Sequence, residues 1–159
     1  EVDYFSSKKA LIESQKYSPF ELGFERMVHL DKPAFVGRDA LLAEQRAGTK
    51  RKLVGLEFDW NQVEKLYDAV GLPPQVPSIA SRVPVPVYRG KSQVGRATST
   101  AWSPILKKMI ALASIDTVHA GIGTELQAEV TVEATRYRAG AKVVKLPFYN
   151  PARKTAVPV

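Results

Sequence analysis

The sequence contains no cysteine. Disulfides, thiolate zinc sites, iron–sulfur ligation and a cysteine nucleophile are therefore excluded together. Histidine is nearly as scarce: His29 and His119 are the only two, too far apart in sequence to suggest a metal site, so no metal is expected. No apolar run approaches the roughly 18 residues that a bilayer span requires. No charged segment leading into an apolar run opens the chain, so neither a membrane nor a secretory signal is expected. The absence of cysteine fits a cytoplasmic location. The first residue is Glu1 rather than methionine, as in a processed protein or a piece of a longer one. A phosphate loop, a GxGxxG turn after a strand, an HExxH helix and a nucleophile elbow are all missing, which removes the commonest catalytic signatures.

What remains is an ordinary folded composition. Of 159 residues, 45% are hydrophobic and 25% charged, enough apolar material for a core in one domain or two small ones. The formal net charge is +7. Its positive residues are scattered in short groups, Lys50-Arg51-Lys52, Lys107-Lys108 and Arg153-Lys154, rather than concentrated on one helix or interleaved with aromatics. That pattern reads first as solvated surface, then as an anionic small-molecule partner, and only last as a nucleic-acid face.

Two regions follow one another, joined near Gly48–Lys52. In the first, Ser6 or Ser7 starts a short helix through Ala10 and Leu11. Ser18-Pro19-Phe20-Glu21 has the spacing of a capping box, with proline at the first helical position and Gly23 ending the turn at once. Met27–Leu30 reads as a short strand, and Phe35–Ala47 as a helix stopped by Gly48. The second region is strand-rich. Leu53–Phe58, Pro84–Tyr88, Ser92–Ser99, Ile110–Ile115, Thr124–Val132 and Ala141–Leu146 are the expected strands, with Arg89-Gly90-Lys91 turning a hairpin. Between the first two, Asn61 and Glu64 form a second capping box. Val63, Leu66, Tyr67 and Val70 then fall on one helical face before Gly71 and Pro73-Pro74 end the helix. Short strands with frequent turns point to a small antiparallel barrel or sandwich.

The residues open to a chemical reading each have a plainer role. Glu21 serves its capping box, His29 is a satisfied histidine in an apolar strand, and Trp102 packs in the core or beside the Ser103-Pro104 turn. Composition and spacing thus lead to a basic α+β protein containing a small β-barrel.

Several segments, in order, resemble the glycine-cleavage T-protein family and its folate-dependent demethylase branches. Ser18-Pro19-Phe20-Glu21-Leu22-Gly23-Phe24, then Leu30-Asp31-Lys32, then Phe35-Val36-Gly37-Arg38-Asp39-Ala40-Leu41 resemble one signature of that family. Lys52–Leu56, Pro86-Val87-Tyr88, Val94–Ser99, Trp102-Ser103-Pro104 and Lys108 with Ile110–Ala113 resemble its C-terminal barrel, and Leu146–Pro151 its terminal tail. Two features depart: Glu25-Arg26 replaces a common glycine–tryptophan, and the Asn61–Val70 helix is an insertion. Both look more like the demethylase branches.

The resemblance implies three domains around a central folate channel, with the N-terminal half supplying a catalytic aspartate that would lie upstream of this chain. Residues 1–50 would then be the end of a ferredoxin-like domain, and residues 51–159 a Greek-key-like antiparallel β-barrel of about six strands. The implied function is that of a C-terminal fragment of a tetrahydrofolate-dependent aminomethyl or methyl transferase, inactive alone. Its implied partners are folate, a methylated or aminomethylated donor and the N-terminal half of its own chain. Tyr4, Tyr149 and Arg153 are the residues that the resemblance brings to the folate, Arg153 competing with a role as solvated tail. A non-catalytic folate-binding assembly module of the same fold, and a basic nucleic-acid-binding barrel, are the alternatives.

Overall fold

The computed structural model describes residues 15–154 and 156. The chain divides into two compact units, Glu1–Lys50 and Arg51–Val159.

The first unit is built around Ser18. Its hydroxyl accepts the Glu21 amide at 3.1 Å and donates to Glu44 Oε1 at 2.6 Å, while Glu21 Oε2 accepts the Ser18 amide at 3.3 Å. The expected capping box is therefore present, and it ties the turn to helix α1, Arg38–Ala47. That helix starts three residues later than its sequence pattern suggests, because Gly37 stands in the left-handed region at φ 91°. The strand expected at Met27–Leu30 is absent. Glu25–Met27 forms a 3₁₀ turn, Val28 is extended, and no ladder partner lies alongside among the described residues. A lone extended segment leaves its backbone groups to water, so apolar character alone does not make a strand. His29, expected inside that strand, is exposed. The helix expected near Ser6 and Ser7 lies outside the described residues.

The second unit is a closed barrel of six antiparallel strands. The strands are β1 (Arg51–Phe58), β2 (Val85–Arg89), β3 (Ser92–Ser103), β4 (Lys108–Asp116), β5 (Glu125–Val132) and β6 (Thr135–Val144). Their order around the barrel is β1-β4-β3-β2-β5-β6. The meander β2-β3-β4 has β1 added beside β4 and β5 beside β2, which makes two overlapping Greek keys. Alternation is clean where both neighbours are present. In β5, Leu126, Ala128, Val130 and Val132 are buried, while Glu125, Gln127 and Thr131 face solvent. Fully buried Ala97, Ala113, Ala128 and Ala139 sit among Leu56, Val87, Ile115 and Val143. Six strands enclose too narrow a space for large residues at every inward position, so small ones alternate with branched ones.

The strand boundaries depart furthest from the sequence pattern in two places. β3 runs on through Trp102 to Ser103, and β6 begins at Thr135, well before Ala141. The β5–β6 turn is Glu133-Ala134, both at positive φ (47° and 60°). That geometry normally recruits asparagine or glycine, so these residues give no turn signal.

Helix α2 (Trp60–Asp68) follows β1 directly. It is capped by Asp59, whose carboxylate accepts the Gln62 amide at 3.3 Å, and not by Asn61. Glu64 instead accepts the Trp60 indole N–H at 2.6 Å. Val63 and Tyr67 are buried against the barrel core as expected. Val70 lies beyond the helix end and is exposed. Gln62 grips β6: its side-chain carbonyl accepts the Gly140 amide at 2.8 Å, and Gly140's own carbonyl accepts the Asp59 amide at 2.8 Å. A Cβ at position 140 would stand 2.9 Å from Gln62 Nε2 and would displace the amide that makes this grip.

Candidate functional site

The candidate site is the outer face of β1 and the tail that lies on it. In β1, Val54, Leu56 and Phe58 turn inward, which sends Leu53, Gly55 and Glu57 outward. Beyond β6 the chain passes through the cis Leu146-Pro147 bond and comes back to this face. A Cβ added to Gly55 would lie 2.7 Å from Phe148 Cε1 and 3.1 Å from Leu146 Cδ2. The bare backbone of Gly55 is therefore the seat of the tail.

The tail then closes on itself. Ala152–Lys154 form a 3₁₀ turn, with the Lys154 amide donating to Pro151 O at 3.0 Å and its ammonium to Tyr149 O at 2.9 Å. Tyr149 is 37% exposed and Arg153 is exposed, so both remain available to a ligand. On the neighbouring strand, Ser114 pairs with Leu53 and is 95% buried, yet its hydroxyl has no partner among the described residues. A sealed, unpartnered hydroxyl is uncommon in folded proteins. Glu57 and Lys108, 2.5 Å apart, join β1 to β4 at the far end of the same face.

A second polar cluster occupies the β2–β5–β6 surface. The Tyr88 hydroxyl donates to Glu129 Oε1 at 2.9 Å, and the Arg138 guanidinium stacks 3.6 Å above the Tyr88 ring. Arg138 also donates to Gly90 O at 3.0 Å. The hydrogen bond to Glu129, with some desolvation, raises the Tyr88 pKa above its ordinary value. Since β5 places Glu129 opposite Arg138, this cluster is a cross-strand charge pair with a tyrosine laid across it. Nearby, Arg89 Nη1 stands 2.9 Å from His119 Nδ1, and a polar cleft of about 340 Å³ opens between Asp59, Gln62, Tyr88 and Lys142.

Of the residues singled out in the sequence, Tyr149 and Arg153 share the tail, and Tyr4 lies outside the described residues. The side chain that reaches back to Tyr149 is Lys154, not Arg153. Trp102 packs as expected, its ring centroid 4.7 Å from that of Trp60. Ser114 and the Tyr88–Glu129–Arg138 cluster gave no signal, because neither spacing nor composition shows which outward residues a barrel brings together.

Residues 68–150 match the family model of the glycine cleavage T-protein C-terminal barrel domain. The chain belongs to this family. The match opens at the last residue of α2 and takes in β2 to β6 and the tail as far as Asn150, so Tyr149 lies within it and Arg153 beyond it. Across 137 residues the chain is 36% identical to an aminomethyltransferase of Bacillus pumilus, covering 86% of this chain and 32% of that protein. An aminomethyltransferase of a Synechococcus species is 37% identical over 134 residues, 84% of this chain and 31% of that one. The crystal structure of glycine cleavage system aminomethyltransferase T from Bartonella henselae shares the fold, with a TM-score of 0.61 at 19% identity, over 83% of this chain and 32% of that one. This T-protein barrel chain thus spans about a third of the length of the relatives it matches. No helix among its described residues is long and apolar enough to cross a membrane.

Proposed function

We propose that this chain is the C-terminal part of a cytoplasmic, tetrahydrofolate-dependent aminomethyltransferase, with its barrel closing and lining the folate channel. In this reading residues 1–50 end a ferredoxin-like domain and residues 51–159 are the barrel domain. The catalytic aspartate belongs to sequence outside this chain, in an N-terminal half that is its first partner.

The observation that carries the reading is the seat of Phe148 on Gly55, which gives the tail a defined departure from the barrel and leaves Tyr149 and Arg153 facing outward. These groups suit folate. A guanidinium forks onto a carboxylate such as that of the glutamyl tail, and a tyrosine ring offers a flat face to a planar heterocycle. Tyr4 completes the set by family resemblance. The chemistry asks that N5 of the folate face the one-carbon donor, and holding the two in place supplies much of the rate. The relatives' shared name favours an aminomethyl donor over a methylated one, and their similarity runs through most of the chain.

The isolated chain is expected to show no transfer from aminomethylated or methylated donors to tetrahydrofolate, because the transition-state contacts of the other half are missing. The full-length protein is expected to turn over. Turnover by the 159-residue chain alone would overturn this division of labour.

A further inference from the structure

A separate cavity of about 590 Å³ lies at the barrel end that α2 covers, beneath the linker from α2 to β2. That volume is in the range of small-molecule sites, which favour the mouths of β-barrels. Its floor is apolar, with Phe58, Met109 and Val130 among the walls. Five hydroxyl residues also line it, and two of them are buried, Tyr67 at 9% exposure and Thr100 at 8%. Among the described residues neither hydroxyl makes a hydrogen bond, although Thr100 uses its backbone N–H and C=O with Ser81 at 2.9 and 2.8 Å. Ser114 carries the one buried hydroxyl without a partner among the described residues, so the Tyr67 and Thr100 hydroxyls reach solvent-accessible space.

The roof is built to stay up. Pro73, Pro74 and Pro77 stiffen the linker, the Leu72 amide pins one end to Tyr67 O at 3.1 Å, and the Ser81–Thr100 bridge pins the other. The single formal charge at the wall is the Glu129 carboxylate, already accepting from Tyr88, so an anion is disfavoured. Both hydroxyls reach open space without a protein partner, so an occupant can hydrogen-bond to them in place of water.

We infer that this cavity is a binding site for a small uncharged molecule with an apolar body, held by hydrogen bonds to the Tyr67 and Thr100 hydroxyls. The site is independent of the folate reading, which uses the tail on β1.

The test is titration of the 159-residue chain with phenol, followed by amide NMR, with benzoate as the anionic control. Phenol is expected to give saturable shifts at Thr100, Met109 and Val130, with benzoate much weaker. Thr100→Val and Tyr67→Phe are each expected to raise the phenol Kd about fivefold, the scale of one net hydrogen bond. Thr100→Val, nearly isosteric, decides the matter if Tyr67→Phe does not fold. Non-saturable or scattered shifts, equal binding of benzoate, or an unchanged Kd in Thr100→Val would each overturn the assignment.

Discussion

Phe148 lies on the bare backbone of Gly55, with its Cε1 only 2.7 Å from where a Cβ would stand. The terminal tail of this T-protein barrel is therefore positioned by an absence on β1. A Gly55→Val substitution should push Phe148 and Leu146 off the strand and cost about 1–3 kcal/mol of overpacking. Thermal unfolding would read that cost, and faster tryptic cleavage at Lys145 would report release of the tail. A Gly55→Val protein with native stability and an uncleaved tail would show that the tail is held elsewhere.

Arg153 supplies the test of the proposed folate contact. In the full-length protein, Arg153→Ala should raise the dissociation constant for tetrahydrofolate by about 1–3 kcal/mol in free-energy terms, with a dependence on salt that the wild type shows more steeply. The melting temperature of the folate-free protein should hardly change, because Arg153 is exposed. Equal affinity in the two proteins would reject the contact. The same measurement on Tyr149→Phe and Tyr149→Ala separates a hydroxyl role from a ring role.

Tyr88 should titrate late. Its folded pKa is raised by the hydrogen bond to Glu129, so folding favours the protonated phenol. The stability this provides is present in full below about pH 10 and is lost as pH rises through the folded pKa. Tyrosinate absorbance should show one group ionising above the ordinary range, and Tyr88→Phe should abolish it while flattening the alkaline limb of the stability profile. An unaltered alkaline limb in Tyr88→Phe would place the effect on another tyrosine.

Gln62 holds α2 to β6 through the Gly140 amide. Gln62→Ala should leave that amide without its protein partner and cost about 1–3 kcal/mol in denaturant unfolding. Hydrogen exchange at Gly140 should accelerate more than exchange at Val143, whose amide is held by Thr124 O. Equal acceleration at both would indicate that the whole barrel end loosens instead.

Ile115 is fully buried where β4 meets β1 and β3. Ile115→Ala should cost about 2–5 kcal/mol, read as a lowered denaturation midpoint. A loss within the noise of a surface substitution would mean that the narrow barrel collapses to fill the gap.

Much of this architecture was legible from local pattern. Alternation in Thr124–Val132 announced β5, the glycine hairpin at Arg89–Lys91 announced β2 and β3, and the Ser18–Glu21 box was readable from its spacing alone. Local pattern failed where the deciding partner was distant or the residue types were atypical. Met27–Leu30 has the apolar character of a strand but no ladder to join. Glu133-Ala134 turns a hairpin without turn residues, because the β5–β6 register imposes it. Asp59 displaced Asn61 as the cap of α2, since β1 hands the chain over at that point and Gln62 is needed at Gly140.

By itself, then, the sequence determined the class of fold, the approximate strands and the family resemblance, all of which rest on residue types and spacings within short segments. Only the tertiary structure decided that Phe148 would rest on Gly55, that Tyr88, Glu129 and Arg138 would meet, and that Tyr67 and Thr100 would share a cavity. Those meetings follow from barrel closure and register, which bring together residues from separate strands, and no local periodicity carries that information.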